Sequence, residues 1–207
     1  MKSPLTLRGI LMIPAVLLGV AAAWAGGAAV RYKWLAADRG DDARYVPRAR
    51  ITSGSENVFV FIGASFCGAC RDPGLPPVVE RAKLLAQRRA AAEHHAFRTI
   101  GVSIDWNQPR GLEMLRRFGD FDQVAAGGNW LNEEAVKYIW RDVPGRAVVP
   151  QIILLERTVN ADAGGIMVSR EVLRERVVGE VEIRTWVRIH ASGSPPTPAN
   201  PTRGAKA

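Results

Sequence analysis

The stretch FIGASFCGACRD, Phe61 to Asp72, holds both cysteines of the chain, Cys67 and Cys70, with Gly68 and Ala69 between them. Asn57 to Gly63 (NVFVFIG) leads into it. A dense apolar run of that length marks a strand buried on both faces. Pro76 and Pro77 follow, and proline is tolerated in the first turn of a helix. That helix is expected to run to about Ala92, with Val78, Val79, Ala82, Leu85 and Ala86 on its apolar face. A strand thus delivers a CxxC pair to a helical turn. Cysteines at i and i+3 lie on the same side of such a turn, close enough to bond. The first then sits at a helix N-terminus, where unpaired N–H groups and the dipole favour a thiolate. A thiolate attacks a disulfide, and a second thiol resolves the mixed disulfide. Cys67 is therefore expected to attack and Cys70 to resolve.

Two other uses of the pair stay open. A structural disulfide across two residues closes a tiny loop and stabilises little. A closed zinc site needs two more ligands. His94 and His95, the adjacent histidines, fall past the far end of the helix and read as exposed polar residues. Arg71 stands where a c-type haem attachment would need His, and a Thr-x-x-Cys context for a peroxiredoxin is missing. No bound cofactor and no metal are implied.

Arg98 to Ile104 (RTIGVSI) reads as a second buried strand, Arg110 to Phe118 as a short helix, and Asp120 to Trp130 as a Gly-containing loop. Asn132 looks like an N-cap, with Glu133 and Glu134 in the first turn. Ala135, Val136, Ile139, Trp140 and Val143 then mark one helical face, and Trp130 and Trp140 are expected in the core. Pro150 to Glu156 (PQIILLE) is a third strand, Asn160 to Gly165 carries turn chemistry, and Ile166 to Ser169 is its return strand. Gly179 precedes a last helix in which Ile183, Trp186, Val187 and His190 recur at i, i+3, i+4, i+7. Asp105 and Trp106 end a strand on the edge where α/β sites lie. They could line a groove, though capping or packing is the plainer use.

The order strand, CxxC, helix, strand, insert, strand opening at a proline, hairpin partner, glycine, helix resembles the thioredoxin-like superfamily. Within it the chain is similar to membrane-tethered bacterial redoxins of the TlpA type. The resemblance rests on Phe59 to Cys70, on Val148-Val149-Pro150 with the hairpin after it, and on Gly179 with the final helix; it covers roughly residues 50 to 190. It implies an α/β fold, a central mixed sheet flanked by helices. It also implies a cis Pro150 facing the dithiol and shaping a groove for an extended chain, with Val149 offering backbone contacts and Phe66 beside them. Phe66 stands where the family usually has Trp, and Gly-Ala replaces the common Gly-Pro between the cysteines. Phe61 occupies the position of the buried acid of thioredoxins proper, so no proton acceptor for Cys70 is identified.

The 207 residues allow one domain plus tails, and 47% hydrophobic with 23% charged residues suits a folded chain. The net charge is +8. The basic residues are dispersed: Arg81, Lys83, Arg88 and Arg89 on one helix, Arg116 and Arg117 on another, Arg170, Arg174 and Arg176 later. They read as solvated faces, and without aromatic-basic interleaving no nucleic-acid partner is expected. Ile10 to Val30 carries no charge. It is long enough to span a bilayer, although Pro14, Gly19, Gly26 and Gly27 weaken it. The same region reads as a signal peptide: Lys2 and Arg8, an apolar core, then Ala23-Trp24-Ala25. The expected organisation is a signal anchor or signal peptide over 1–30, with membrane contact through residues 10–30, and a polar tether over 31–50. A thioredoxin-like domain over 51–190 and a disordered tail over 191–207 complete it. Arg31, Lys33, Arg39 and Arg44 would by count place the C-terminal side inside. The signal-like leader instead places the domain outside the cytoplasm, at an inner membrane facing the periplasm. One cysteine pair with no spare thiol agrees with an oxidising compartment.

The expected function is thiol–disulfide exchange with partner proteins, fed or drained by a second dithiol protein. The competing classes are a non-catalytic binding module on the same fold and a metallochaperone.

Overall fold

The computed structural model describes residues 44–48, 51–162, 165–169 and 171–192. The anchor or signal expected over 1–30, most of the tether and nearly all of the tail lie outside them. Among the described residues no helix is long and apolar enough to cross a membrane.

Strand β1 (Gly54–Gly63) starts earlier than its apolar run, because Gly54 to Glu56 continue the ladder to the next strands. A three-residue 3-10 turn (Ala69–Arg71) carries Cys70, and α1 runs Leu75–Ala92 with proline in its first turn, as expected. Then come β2 (Ala96–Ser103), α2 (Gln108–Arg116), β3 (Gln123–Ala126) and a 3-10 turn (Asn129–Leu131). Helix α3 is one turn (Glu133–Val136), continued by a π turn, Lys137–Arg141. Strands β4 (Gln151–Asp162), β5 (Gly165–Val168) and β6 (Val172–Val178) lead to α4 (Glu180–Ala191).

The six strands form one mixed sheet in the order β3-β2-β1-β4-β5, with β6 also on β4. β1 is parallel to β2, and β2 to β3; β4 is antiparallel to β1, β5 and β6. Alternation along β1 sorts the core. Phe59 and Phe61 face α1, α2 and α4 with Val78, Val79, Met114, Ile183 and Trp186. Val58, Val60 and Ile62 face Ala135, Tyr138 and Ile139 of the insert. Each such buried side chain contributes about 1.5–3 kcal/mol. The central mixed sheet flanked by helices matches the expected class.

Several expectations need correction. The loop predicted over 120–130 contains β3, whose four residues QVAA pair only with β2 at the sheet edge. The return strand is two segments, and β6 escaped notice because VLRERVV mixes charge with apolar residues on a half-covered strand. The insert helix does not keep one α-helical face. Its π turn advances the phase, so Tyr138 is buried and Trp140 is 49% exposed, packed edge to face on the half-buried Trp130 at 5.7 Å.

The basic residues are not all solvated. Lys83 is fully buried, donating to Glu80 at 2.7 Å and to the carbonyls of Phe118 and Asp120 at 2.7 and 2.8 Å. Its Nζ lies 3.7 Å from the Phe121 ring centre. Arg98 and Arg157, both buried, share Glu56, and Arg157 also meets Glu171. Tyr45, in the stretch assigned to the tether, is buried against Phe97 and donates its hydroxyl to Asp122 at 2.6 Å.

Candidate functional site

β1 ends at Gly63, and the chain turns through Ala64 and Ser65 to place Cys67 beyond the C-terminal end of the central strand. The turn is closed by the Cys67 N–H donating to the Ala64 carbonyl at 3.3 Å. Cys67 is half-buried and Cys70 fully buried, both as free thiols. The Cys70 N–H donates to Sγ of Cys67 at 3.3 Å. Sγ of Cys67 in turn donates to the Val149 carbonyl at 3.4 Å, a weak thiol contact. The Val149–Pro150 peptide is cis. The structure thus brings Cys67, Cys70, Val149 and Pro150 together from two chain segments eighty residues apart. Phe66 is on the rim, 58% exposed.

The helix behind Cys67 is interrupted, as Pro73, Gly74, Pro76 and Pro77 in the sequence suggest. The 3-10 turn ends at Arg71, and α1 begins only at Leu75. Pro73, Gly74 and the proline pair separate them, so the donor at the Cys67 sulfur is the Cys70 amide rather than the N-terminus of a long helix. Asp72 holds this break. Its carboxylate accepts from Gly74 N–H at 2.9 Å and from Arg184 of α4 at 2.8 Å, and Arg184 also donates to the Gly74 carbonyl. The Gly74 amide, then Glu180 and Arg184, hold the Asp72 carboxyl below its ordinary value.

Gln151 positions the Val149 side. Fully buried, it donates to the carbonyls of Arg146 and Val148 at 3.1 and 2.6 Å and accepts from Arg176 at 2.5 Å. Arg176 also donates to the carbonyls of Tyr138 and Val143. One buried amide and one half-buried guanidinium therefore tie the insert, β6 and the loop before Pro150 into one support. Sequence reading missed both, since a Gln opening a strand and an Arg within VLRERVV carry no local signal.

Burial pushes the Cys70 thiol far up; hydrogen bonding to Cys67, the Cys67 charge and the Asp105 charge push the same way, while the Ala64 backbone pulls back. Asp105 is itself buried, and Trp106 beside it is 69% exposed. The cap of α2 is Asn107, whose side chain accepts from Arg110 N–H, so Asp105 does not cap. Phe66, one residue before Cys67, and Val148, one before Val149, are exposed apolar side chains, and Arg71, one after Cys70, is exposed as well. His94 is exposed and His95 half-buried, bonded to Asn57 beyond the other end of α1. Among the described residues no three or more metal-ligating side chains cluster.

No protein-family model matches the chain, and no curated protein matches it. Solved structures similar to it include the following two. One is MTB dsbF in mixed oxidized and reduced forms, at TM-score 0.29 and 16% identity, covering 65% of this chain and 81% of that one. The other is BsSco, a member of the Sco family of cytochrome c oxidase assembly proteins in which a disulfide switch was identified. It matches at TM-score 0.30 and 14% identity, over 66% of this chain and 81% of that one.

Proposed function

We propose that this protein is a thioredoxin-like thiol–disulfide oxidoreductase acting on protein partners through Cys67 and Cys70. The observation that carries the reading is the asymmetry of the pair. Cys67 is reachable and its sulfur accepts the Cys70 amide at 3.3 Å, whereas Cys70 is sealed and its thiol held protonated by burial. A thiolate at Cys67 attacks one sulfur of a partner disulfide; that S–S bond breaks and the partner's other sulfur leaves with the electron pair. Cys70 then loses its proton and attacks Cys67. The mixed disulfide breaks, the partner leaves as a dithiol, and Cys67–Cys70 becomes the disulfide. Two electrons have passed to the partner, and a second dithiol protein restores them. Run backwards, the same steps oxidise a partner.

Val149 and Pro150 form one wall of the approach to Cys67, and Phe66 another, as substrate contacts. The Val149 carbonyl that now takes the Cys67 thiol is free for a backbone amide of an extended partner once that thiol is deprotonated. The TlpA-type kinship, the membrane tether and an extracytoplasmic location belong to the same proposal, supported by the leader and span pattern of residues 1–30.

Cys70→Ser in the full chain tests the reading. Mixed disulfides with partner proteins should accumulate and be released by reductant, and Cys67→Ser should abolish them. If Cys70→Ser traps nothing, a non-catalytic binding module becomes the better account.

A further inference from the structure

Three arginines stand at the dithiol with no carboxylate to meet them. Arg71 follows Cys70, and its N–H donates to the Cys67 carbonyl at 3.2 Å. Arg117, at the end of α2, donates through Nη2 to the Arg71 carbonyl at 3.3 Å, which holds that guanidinium on the dithiol turn. Arg146 belongs to the loop before Pro150. Its carbonyl accepts the Val148 N–H at 3.0 Å and the Gln151 side-chain amide at 3.1 Å. Val149 of the same loop takes the Cys67 thiol on its own carbonyl. All three arginines are exposed, and among the described residues none of them has an ion pair.

The acids of the same segments are already taken. Asp72, beside Arg71, meets Arg184 at 2.8 Å, and Arg184 also meets Glu180 at 2.8 Å. Asp105, which accepts the Ser65 N–H, is 3% exposed. By contrast, the exposed Arg89 and Arg174 each meet a carboxylate, Glu93 and Glu156. Those two pairs lie by Asn57, which donates to Glu93 and stands opposite Glu156 in the ladder of β1 and β4. Asn57 is six residues before Gly63 on β1, so about 20 Å of strand separates them from the turn that carries Cys67. The exposed charge on the dithiol turn and its supporting loop is thus positive and uncompensated.

We propose that Arg71, Arg117 and Arg146 select the partner: Cys67 acts on a disulfide flanked by carboxylates, on an acidic face of a protein. The inference rests on the exchange reading above and names its substrate class. A guanidinium takes a carboxylate in a two-bond fork. Uncompensated charge around a reacting group also steers an oppositely charged partner in and raises its on-rate. The cations come from both segments that meet at Cys67, the dithiol turn and the loop before Pro150. Carboxylates flanking the partner's cystine therefore find a cation on each. The arginines take no part in the bond changes, which stay those of the exchange steps above.

The test uses the full chain, reduced, and two peptides activated as pyridyl disulfides at a single cysteine, flanked in one by Asp and Glu and in the other by Lys and Arg. Attack by Cys67 bonds the peptide sulfur, breaks the S–S bond to the pyridyl group and releases thiopyridone. Its absorbance gives the rate whatever the redox poise of the pair. Each rate is divided by that of the same peptide with dithiothreitol, which removes the peptide's own reactivity. The acidic peptide should then lead by about 10-fold or more at low salt, the lower range for electrostatic steering. The lead should shrink toward one near 1 M salt, where the Debye length is about 3 Å. Arg71→Gln with Arg146→Gln should cut the lead about 3-fold or more, and Arg117→Gln should lower it in the same direction. Arg89→Gln with Arg174→Gln removes as much charge far from the thiols and should leave the lead intact. Equal normalised rates, or an equal loss of the lead in the two double variants, overturns the proposal and leaves the exchange reading standing. If the wild type releases thiopyridone from neither peptide, the exchange reading itself falls and the selection with it.

Discussion

Replacing Lys83 by methionine isolates a buried charge whose worth is otherwise ambiguous. Its ammonium is fully enclosed and donates to Glu80, to the Phe118 carbonyl and to the Asp120 carbonyl, all within 2.8 Å. Two effects oppose each other. Burial lowers the Lys83 pKa from its ordinary 10.5, with Glu80 working against that shift, so charging this amine costs more here than in water. Methionine would remove that cost and keep the packing of the stem. It would also leave two buried carbonyls and one carboxylate without their donor. Breaking a buried pair on one side costs about 3–5 kcal/mol. The lower end applies, because the Glu80 side chain stays 15% exposed and can turn to water. A loss of about 3 kcal/mol lowers Tm by roughly 6–12 °C in a domain of this size. Thermal unfolding of wild type and variant reads it directly. The sign with pH also follows. Between the lowered folded value and 10.5 the unfolded chain binds more protons at Lys83 than the folded one, so its contribution to stability rises with pH across that window. The methionine variant should lack that rise. A Tm that is unchanged or higher in Lys83→Met would refute the reasoning and show that desolvation outweighs the orphaned partners.

Other outcomes follow from the same structure. Glu56→Gln removes the one negative charge shared by the buried Arg98 and Arg157; the expected cost is about 3–5 kcal/mol, read as a lower urea midpoint at unchanged slope. Gly119→Ala places a Cβ 1.8 Å from Oε1 of Glu80 at a φ of +80°. It should cost about 1–2 kcal/mol for the left-handed backbone alone and be non-additive with Lys83→Met, since both act through Glu80. The Asn57 side chain, then Arg89, hold the Glu93 carboxyl below its ordinary 4.5. Its contribution is present above 4.5 and is lost as pH falls through the lowered value. Asn57→Ala should move the Glu93 titration, followed by carboxyl NMR, back toward 4.5.

The pattern of apolar runs and turn formers was enough to order the elements from β1 to α4, because buried strands and amphipathic helices advertise their period locally. NVFVFIG, RTIGVSI and PQIILLE all became central strands, and Ile183, Trp186 and Val187 became the buried face of α4. The CxxC at the end of the first strand and the Val-Pro before the third were visible for the same reason. What depended on contacts between distant segments was not. β3 and β6 exist through pairing with β2 and β4 rather than through their own composition. Lys83 and Arg176 read as solvated because a charged side chain looks the same in sequence whether or not a carboxylate or carbonyl meets it. Phe61 left the proton acceptor unassigned, and the Ser65 amide that donates to Asp105 at 3.0 Å joins residues forty apart in the chain, a contact no local pattern shows. Sequence by itself placed the CxxC pair at the end of a buried strand and ordered most of the elements around it. Tertiary structure decided which cysteine is sealed and what holds the Val149 carbonyl against the other, since burial and charge pairing arise only when remote segments meet.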